Sequence, residues 1–364
     1  MITLLPGLFV IGVSSSFIIY FARVKEIMKI LVSGPVNYDY SQYIVQEIQR
    51  LGHTVLLYPM KDFYRYCSYI ERKAYKLGMS SVKDQYESKW ENGLLEKCAE
   101  FSPDITIFLN GMMLHVGLLQ KLQNYRKIWW LWDALERGGQ SKYAWIPYFD
   151  RIAVFEHNDI EKIKPYGKDV ICLPLGYSSP FAETGETERD IDISFIGMPD
   201  AKRLRLLECV AEAAWKNNWR MYVAGEWYDT RWPWKKLKFA KRYPHLIKCI
   251  HNEIVSAQEA AAIYARSKIS VNINTVDHKS FNPRSFEIMA AGAMMFYDTK
   301  NLADNPFKAG EDYCEFCSCE DLLEKLHYYL EHENARKTIA MHGQKNNEGN
   351  SLHDRVVKLL NGME

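Results

Sequence analysis

Asn282, Arg284 and Glu287 stand close together in the stretch Ser280-Phe281-Asn282-Pro283-Arg284-Ser285-Phe286-Glu287-Ile288-Met289-Ala290-Ala291-Gly292. Asn282 is a good N-cap, Pro283 fits a first helical position and Gly292 is a natural stop, so the run predicts a short helix. Arg284 then falls in the first turn, where the macrodipole disfavours a cation. An anion bound there reverses the penalty, because free N–H groups and a guanidinium fork both suit phosphate. Glu287 follows on the same face, where a carboxylate can accept both hydroxyls of a ribose diol. A second reading stays open on these residues alone, an i,i+3 Arg–Glu pair on a solvated face.

Two strands must position that helix. An alternating run, Ile269-Ser270-Val271-Asn272-Ile273-Asn274, precedes it, and Met294-Met295-Phe296-Tyr297 follows. Strand, loop, helix and strand make a parallel βαβ crossover. Asn272 and Asn274 share one face of the first strand, so both need hydrogen-bond partners, and Asn274 lies nearer the cleft end.

With these residues the stretch resembles the C-terminal signature of GT-B glycosyltransferases. It is most similar to the spore-maturation CgeB/YkvP-type branch, through Asn282, Arg284, Phe286, Glu287, Ile288, Ala290 and Gly292. The similarity runs in order through Ile193-Ser194-Phe195-Ile196-Gly197, Tyr264-Ala265-Arg266-Ser267-Lys268-Ile269, and a tail from Asp321 to Gly343. The resemblance implies an α/β fold of two Rossmann-like parallel-sheet domains facing a central cleft. It implies transfer of a sugar from a nucleotide-diphosphate sugar to an acceptor (glycan, lipid-linked or protein), with retention and with no metal or other cofactor. The associated roles are spore-coat or cell-surface polysaccharide assembly, on the cytoplasmic side.

The donor site expected from the residues and the resemblance together comprises Gly197, Arg203, Gly225, Asn274, Asn282, Arg284 and Glu287. Gly197 lets a backbone approach phosphate closely. Arg203 is favoured over its neighbours Lys202 and Arg205 for the diphosphate, with a solvated helix face as the competing reading. Gly225 matches a turn near the nucleotide. Gly34, Asn37 and Gly111 are expected on the acceptor side, at strand ends facing the cleft. Asp133 is a candidate to orient the acceptor or act as base, against a helix-capping reading. His157 is a candidate for binding donor or acceptor, against a structural histidine. One departure stands out: relatives with retention carry a glutamate eight positions before the equivalent of Glu287, where this chain has Lys279. That leaves the donor sugar and the stereochemistry open. Two rivals follow, a nucleotide-sugar epimerase on the same fold and a non-catalytic coat or surface-assembly protein that retains it.

Composition sets the outer limits. At 364 residues, 48% hydrophobic and 25% charged, the chain has room for two globular domains. A net charge of +1 gives no support to a nucleic-acid partner held by bulk electrostatics. The eight cysteines are scattered, which points to a reducing compartment rather than a disulfide framework. Cys314, Cys317 and Cys319 lack a second pair at zinc spacing and read as a buried strand.

Domain boundaries come from pattern. Residues 2–22 carry no charged side chain, and Arg23 and Lys25 follow. That stretch reads as a membrane anchor on the cytoplasmic face or as sequence upstream of a start at Met28. Residues 28–176 alternate strands (29–34, 54–58, 105–110, 128–132, 151–156, 170–173) with helices, as in a parallel sheet covered on both faces. A turn-rich linker spans 177–191. A second α/β domain covers 192–350, and a final helix within 351–364 is expected to cross back to the first domain. The insert from Trp227 to Lys238 mixes aromatics and lysines. It reads by default as folded back on its own domain, with peripheral membrane contact as the alternative.

Overall fold

The computed structural model of the chain describes residues 27–363 except 37–38, 62, 186, 275–279 and 299–305, together with the pairs 8–9, 12–13, 16–17 and 20–21. The apolar stretch 2–22 thus lies mostly outside the described residues. Its described pairs form two small antiparallel pairings, Leu8–Phe9 with Tyr20–Phe21 and Gly12–Val13 with Ser16–Phe17. Among the described residues, no helix is long and apolar enough to cross a membrane.

Short apolar strands dominate the first half of the chain: Lys29–Pro35 (β1), Thr54–Met60 (β2), Ile105–Leu109 (β3), Arg126–Trp130 (β4), Arg151–Val154 (β5) and Asp169–Cys172 (β6). They form one sheet in the order β6-β5-β4-β3-β1-β2, parallel throughout. Alternation assigns Ile30 and Val32 to one core and Leu31 to the other, so both faces are buried and nearly every strand residue is apolar. Helix Tyr40–Arg50 (α1) covers the first face, and helix Ser81–Phe101 (α2) covers the second.

The second half repeats the scheme with Ile191–Ile196 (β7), Met221–Ala224 (β8), Ile250–His251 (β9), Ser267–Asn272 (β10), Met294–Tyr297 (β11) and Cys314–Glu315 (β12). The order is β9-β8-β7-β10-β11-β12, again all parallel. Its helices are Ala201–Asn217 (α3), Pro233–Arg242 (α4), Ala257–Arg266 (α5), Pro283–Ala290 (α6), Cys319–Glu331 (α7) and Glu333–Asn346 (α8).

Helix Leu352–Leu360 (α9) ends the chain on the first sheet. Its Leu352, Val356, Leu359 and Leu360, with Met363, sit in the core that holds Ile30 and Val32. Arginines of that sheet accept the helix end: Arg151 Nη1 donates to the Leu359 and Asn361 carbonyls at 2.8 and 2.7 Å, and Arg126 Nη1 to that of Met363 at 2.6 Å. Terminal carbonyls lacking intrahelical donors are satisfied in this way. The chain crosses between layers twice, side by side. Tyr177 N–H donates to Asn350 O at 3.2 Å, and Leu352 N–H donates back to Tyr177 O at 2.8 Å. Gly176 belongs there because a Cβ would fall 1.9 Å from the Asn350 carbonyl oxygen.

The cysteine expectation needs correction. Cys209 of α3 and Cys319, the first residue of α7, are joined in a disulfide with Cα atoms 6.8 Å apart. The two helices pack side by side, which brings together residues separated by 110 positions, a pairing no local spacing reveals. Only Cys314 of the C-terminal cluster lies in a strand and is buried, whereas Cys317 is exposed.

Candidate active site

In the second sheet the connections run one way from β7 through β8 to β9 and the other way from β10 onward, so the order reverses between β7 and β10. Ligands of open α/β sheets bind beyond the carboxyl ends of the strands at such a point. There β7 runs into Gly197, and β10 runs toward Asn274. Gly225, just past β8, has φ +136, and a Cβ on it would lie 2.1 Å from the Gly197 carbonyl oxygen. Two strand ends therefore meet backbone to backbone, which only glycine permits.

Helix α6 begins as its sequence dictates. The Asn282 side chain accepts from Ser285 N–H at 3.2 Å, Pro283 is the first helical residue, and Gly292 lies beyond the end at φ +71. The buried asparagines find their partners here. Asn272 Nδ2 donates to Asn282 Oδ1 at 3.0 Å and to Ser285 Oγ at 2.9 Å, while Asn282 Nδ2 donates to Asn274 Oδ1 at 2.6 Å. Asn274 N–H and Nδ2–H both reach Asp298 Oδ1 at 3.0 Å. This amide net ties the cap of α6 to the end of β10.

On that base stands Arg284. Its Nη1 donates to Asn272 Oδ1 at 3.1 Å, and its guanidinium carbon lies 6.0 Å from the centre of the Phe195 ring. Arg203 occupies the same ring at 5.5 Å. Arg203 is nearly buried and pinned: Nε and Nη2 donate to the Ile273 carbonyl at 2.9 and 2.8 Å, and Nη1 to that of Met198 at 2.8 Å. It is thus not on a solvated helix face. Burial, with the charge of Arg284 added, pulls the Arg203 pKa down to about 10. Two guanidinia held around one ring repel each other, and a bound dianion would relieve the strain.

Glu287 is 8% exposed, which excludes the solvated-face reading. Its Oε1 accepts from the hydroxyl of Tyr40, the first residue of α1, so the first layer reaches across to the second. Burial pushes the Glu287 pKa above the ordinary carboxylate range, with the Tyr40 hydrogen bond and the Arg284 charge opposing. Burial likewise raises the phenols of Tyr40 and Tyr264.

These groups line a cavity of about 590 Å³ between the layers, within the usual range of about 300–1,000 Å³ for small-molecule sites. A second hollow of about 750 Å³ lies beyond Asp39 and Tyr43 and is lined by Gln42, Gln46, Thr184 and Gln258. Its one arginine, Arg266, is engaged with Asp190 at 2.7 Å. The smaller cavity is therefore the chemically equipped one. Among the described residues, no group of three or more His, Cys, Asp or Glu could hold a metal ion.

All of the expected donor-side residues line this cavity: Gly197, Arg203, Gly225, Asn274, Asn282, Arg284 and Glu287. Most of the first-layer expectations do not. Gly34 is inside β1, where a Cβ would press on Leu109 and Ser41 at 2.7–2.8 Å, so its smallness serves packing. Gly111, at φ +82, turns the chain against Leu114 and Trp129. Asp133 accepts from Ala134 N–H at 3.0 Å and pairs with Arg137 at 2.7 Å. Both bonds are local and leave Asp133 outside the cavity lining, while Arg137 itself reaches the cavity. His157 is exposed, away from the cavity lining. Asn37 lies outside the described residues. Sequence reasoning missed Tyr40, Arg137 and Tyr264, all of which line the cavity. Tyr40 stands just past the first strand's loop, a position that could have been noticed, whereas nothing local marks Arg137.

Residues 203–361 match the family described as glycosyl transferase-like. No curated protein matches the chain. Similar solved structures include sucrose-phosphate synthase from Thermosynechococcus elongatus, at TM-score 0.61 and 10% identity over 91% of this chain and 97% of that one. Anabaena HepE in complex with UDP-glucose superposes at TM-score 0.63 and 10% identity, over 92% and 99%. A putative UDP-N-acetylglucosamine 2-epimerase from Listeria monocytogenes gives 0.61 and 12%, over 93% and 96%. The fold is GT-B.

Proposed function

We propose that this GT-B chain transfers a sugar from a nucleotide-diphosphate sugar to an acceptor, with the cavity between its layers as the donor site. The observation that carries this reading is that one turn of α6 delivers Arg284 and Glu287 into the same cavity as the abutting Gly197 and Gly225 backbones. In transfer, the bond from the anomeric carbon to the diphosphate breaks and negative charge builds on the leaving oxygens. Arg284, oriented in advance by Asn272, meets that charge without reorganisation. Arg203, pinned behind it, adds to the positive field. Glu287 accepts the ribose diol, a role its existing bond from the Tyr40 hydroxyl already resembles. The acceptor enters from the side of Tyr40 and Arg137.

Further parts of the proposal rest on the family resemblance: retention at the anomeric carbon, charge neutralisation by guanidinium rather than metal, membership of the CgeB/YkvP-type branch, and work on a surface or spore-coat glycan from the cytoplasmic side. The match over residues 203–361 supports the reaction class.

The test is a thermal-shift panel of nucleoside diphosphates and nucleotide sugars, followed by turnover of the best ligand with and without EDTA. Ligand binding to the folded state raises the melting temperature. We expect a response selective for one base and turnover that EDTA leaves intact. Donor epimerised without an acceptor would assign the chain to the epimerase reading, which the fold shared with the Listeria protein keeps in play. Binding without turnover would mark it a binding module.

Glu287 also makes a pH prediction. Its folded-state pKa is raised above the ordinary 4.5, so the stability it contributes is present below that value and lost as pH rises through the raised one. Ribose hydroxyls favour the ionised form, so donor affinity should move the opposite way and tighten as pH rises through the same window. Titrating affinity against pH checks this, and Glu287→Gln should flatten the profile. An identical slope in the variant would remove Glu287 from the ribose role.

A further inference from the structure

Helix α4 is unlike the other helices of the second layer in burying no residue at all. It follows the turn from Trp227 to Trp232, and the sequence expectation that this insert folds back is met only in part. Trp227 is buried, and Phe239 packs on Tyr228 and Tyr243 with ring centres 5.5 and 5.0 Å apart. Those contacts fix one side of the helix. The other side presents Trp232, Trp234 and Leu237 at 47%, 57% and 70% exposure, with the two indoles 4.6 Å apart. Trp234, Leu237 and Lys241 recur at i, i+3 and i+7, one stripe of a helix. Lys238 and Arg242 lie on the stripe beside it, where Lys235 is already bound to Asp229 at 3.0 Å. The helix carries five cations and no acid, in a chain whose net charge is only +1.

Such a surface is costly in water unless something covers it. Its chemistry selects the cover. Indoles favour the boundary between apolar and polar media, Leu237 favours an apolar one, and lysine stems can lie along apolar surface while their ammonium groups stay wet. Clustered lysines beside them call for anionic headgroups. A protein partner would need a matching acidic, apolar groove. A nucleic acid would use the cations and the ring faces but leave Leu237 unsatisfied.

We infer that Trp232 and α4 seat this protein on an anionic lipid surface, with the indoles and Leu237 in the interface and the lysines among the headgroups. This site is separate from the donor cavity and does not depend on the proposed reaction.

Co-sedimentation of the full chain with phosphatidylcholine vesicles, with and without phosphatidylglycerol, tests it. We expect binding that requires phosphatidylglycerol and weakens with salt. Lys238→Gln and Lys241→Gln should each lower partitioning about fivefold and together about 25-fold. Trp234→Ala with Leu237→Ala should lower it at least as far, while the nucleotide response of every variant stays at the wild-type level. Failure of the full chain to sediment with anionic vesicles would overturn the proposal. So would binding unchanged in these variants, since the apolar residues 2–22, intact in all of them, would then be what holds the lipid. Competition by a single-stranded oligonucleotide, combined with indifference to the Trp234 and Leu237 changes, would assign the face to nucleic acid instead.

Discussion

Arg284→Ala is expected to weaken binding of the preferred nucleoside diphosphate by about 100-fold, the scale of truncating one partner of a hydrogen-bonded charge pair at about 2–5 kcal/mol, and to change binding of the corresponding nucleoside, which carries no phosphate, by less than about threefold. The contrast follows from where the guanidinium sits. It lies at the first turn of α6, beside Gly197, where the proposed reading seats the diphosphate at a helix N-terminus. The substitution should spare the fold. Asn272 Oδ1, which loses the Arg284 bond, still accepts from Asn282 Nδ2 at 3.2 Å, and Arg203 remains against Phe195. Arg284→Lys should recover only part of the affinity, because an ammonium cannot reproduce the planar fork. Isothermal titration with both ligands decides the matter. Equal losses for nucleoside and diphosphate would place Arg284 outside the phosphate role, whatever the reaction proves to be.

A chain ending at Asn350 is expected to lose its first layer. Five side chains beyond that point, Leu352, Val356, Leu359, Leu360 and Met363, are at most 4% exposed in the core under β1 and β3. At about 1.5–3 kcal/mol each, their removal costs about 7.5–15 kcal/mol, comparable with the whole stability of a typical domain. Arg151 and Arg126 would also be left without the carbonyls they now bind. Hydrogen exchange should show protection lost in β1 to β6 and retained in β7 to β12. Because a truncated chain can simply aggregate, Leu359→Ala in the full chain is the companion measurement, with an expected loss of about 2–5 kcal/mol in the first layer's unfolding. Unchanged unfolding in Leu359→Ala would show that α9 is an accessory to the first layer.

That dependence falls on the final helix, the one read from pattern as crossing back to the first domain. Residues 28–176 contain all six strands of the first sheet, yet the core beneath them is completed from the other end of the chain. Alternation of apolar runs with helical stretches was enough to find nearly every strand, because a residue's side is set by its immediate neighbours along the backbone. It misplaced ends by one or two residues, as at β4, which begins at Arg126 and stops at Trp130. A strand ends where its partner stops offering hydrogen bonds, which is information from elsewhere in the chain.

The cavity residues that α6 and the strand ends of the second layer contribute were legible in the sequence, whereas those contributed by the first layer were not. Asn282, Arg284 and Glu287 come from the start of one short helix, and Gly197, Gly225 and Asn274 follow the ends of strands that their apolar runs mark out. Cap, proline, charge and stop are local chemistry, so the sequence by itself determined the α6 helix and what its first turn presents. Only the tertiary structure decided that Tyr40 reaches Glu287 across 247 positions, that Arg203 is pinned by the Ile273 carbonyl, that Asp133 serves Arg137, and that Cys209 meets Cys319. Each of these depends on the packing of elements distant in sequence. Such packing is settled by the burial of whole faces, and no single residue's type or spacing records which partner it will meet.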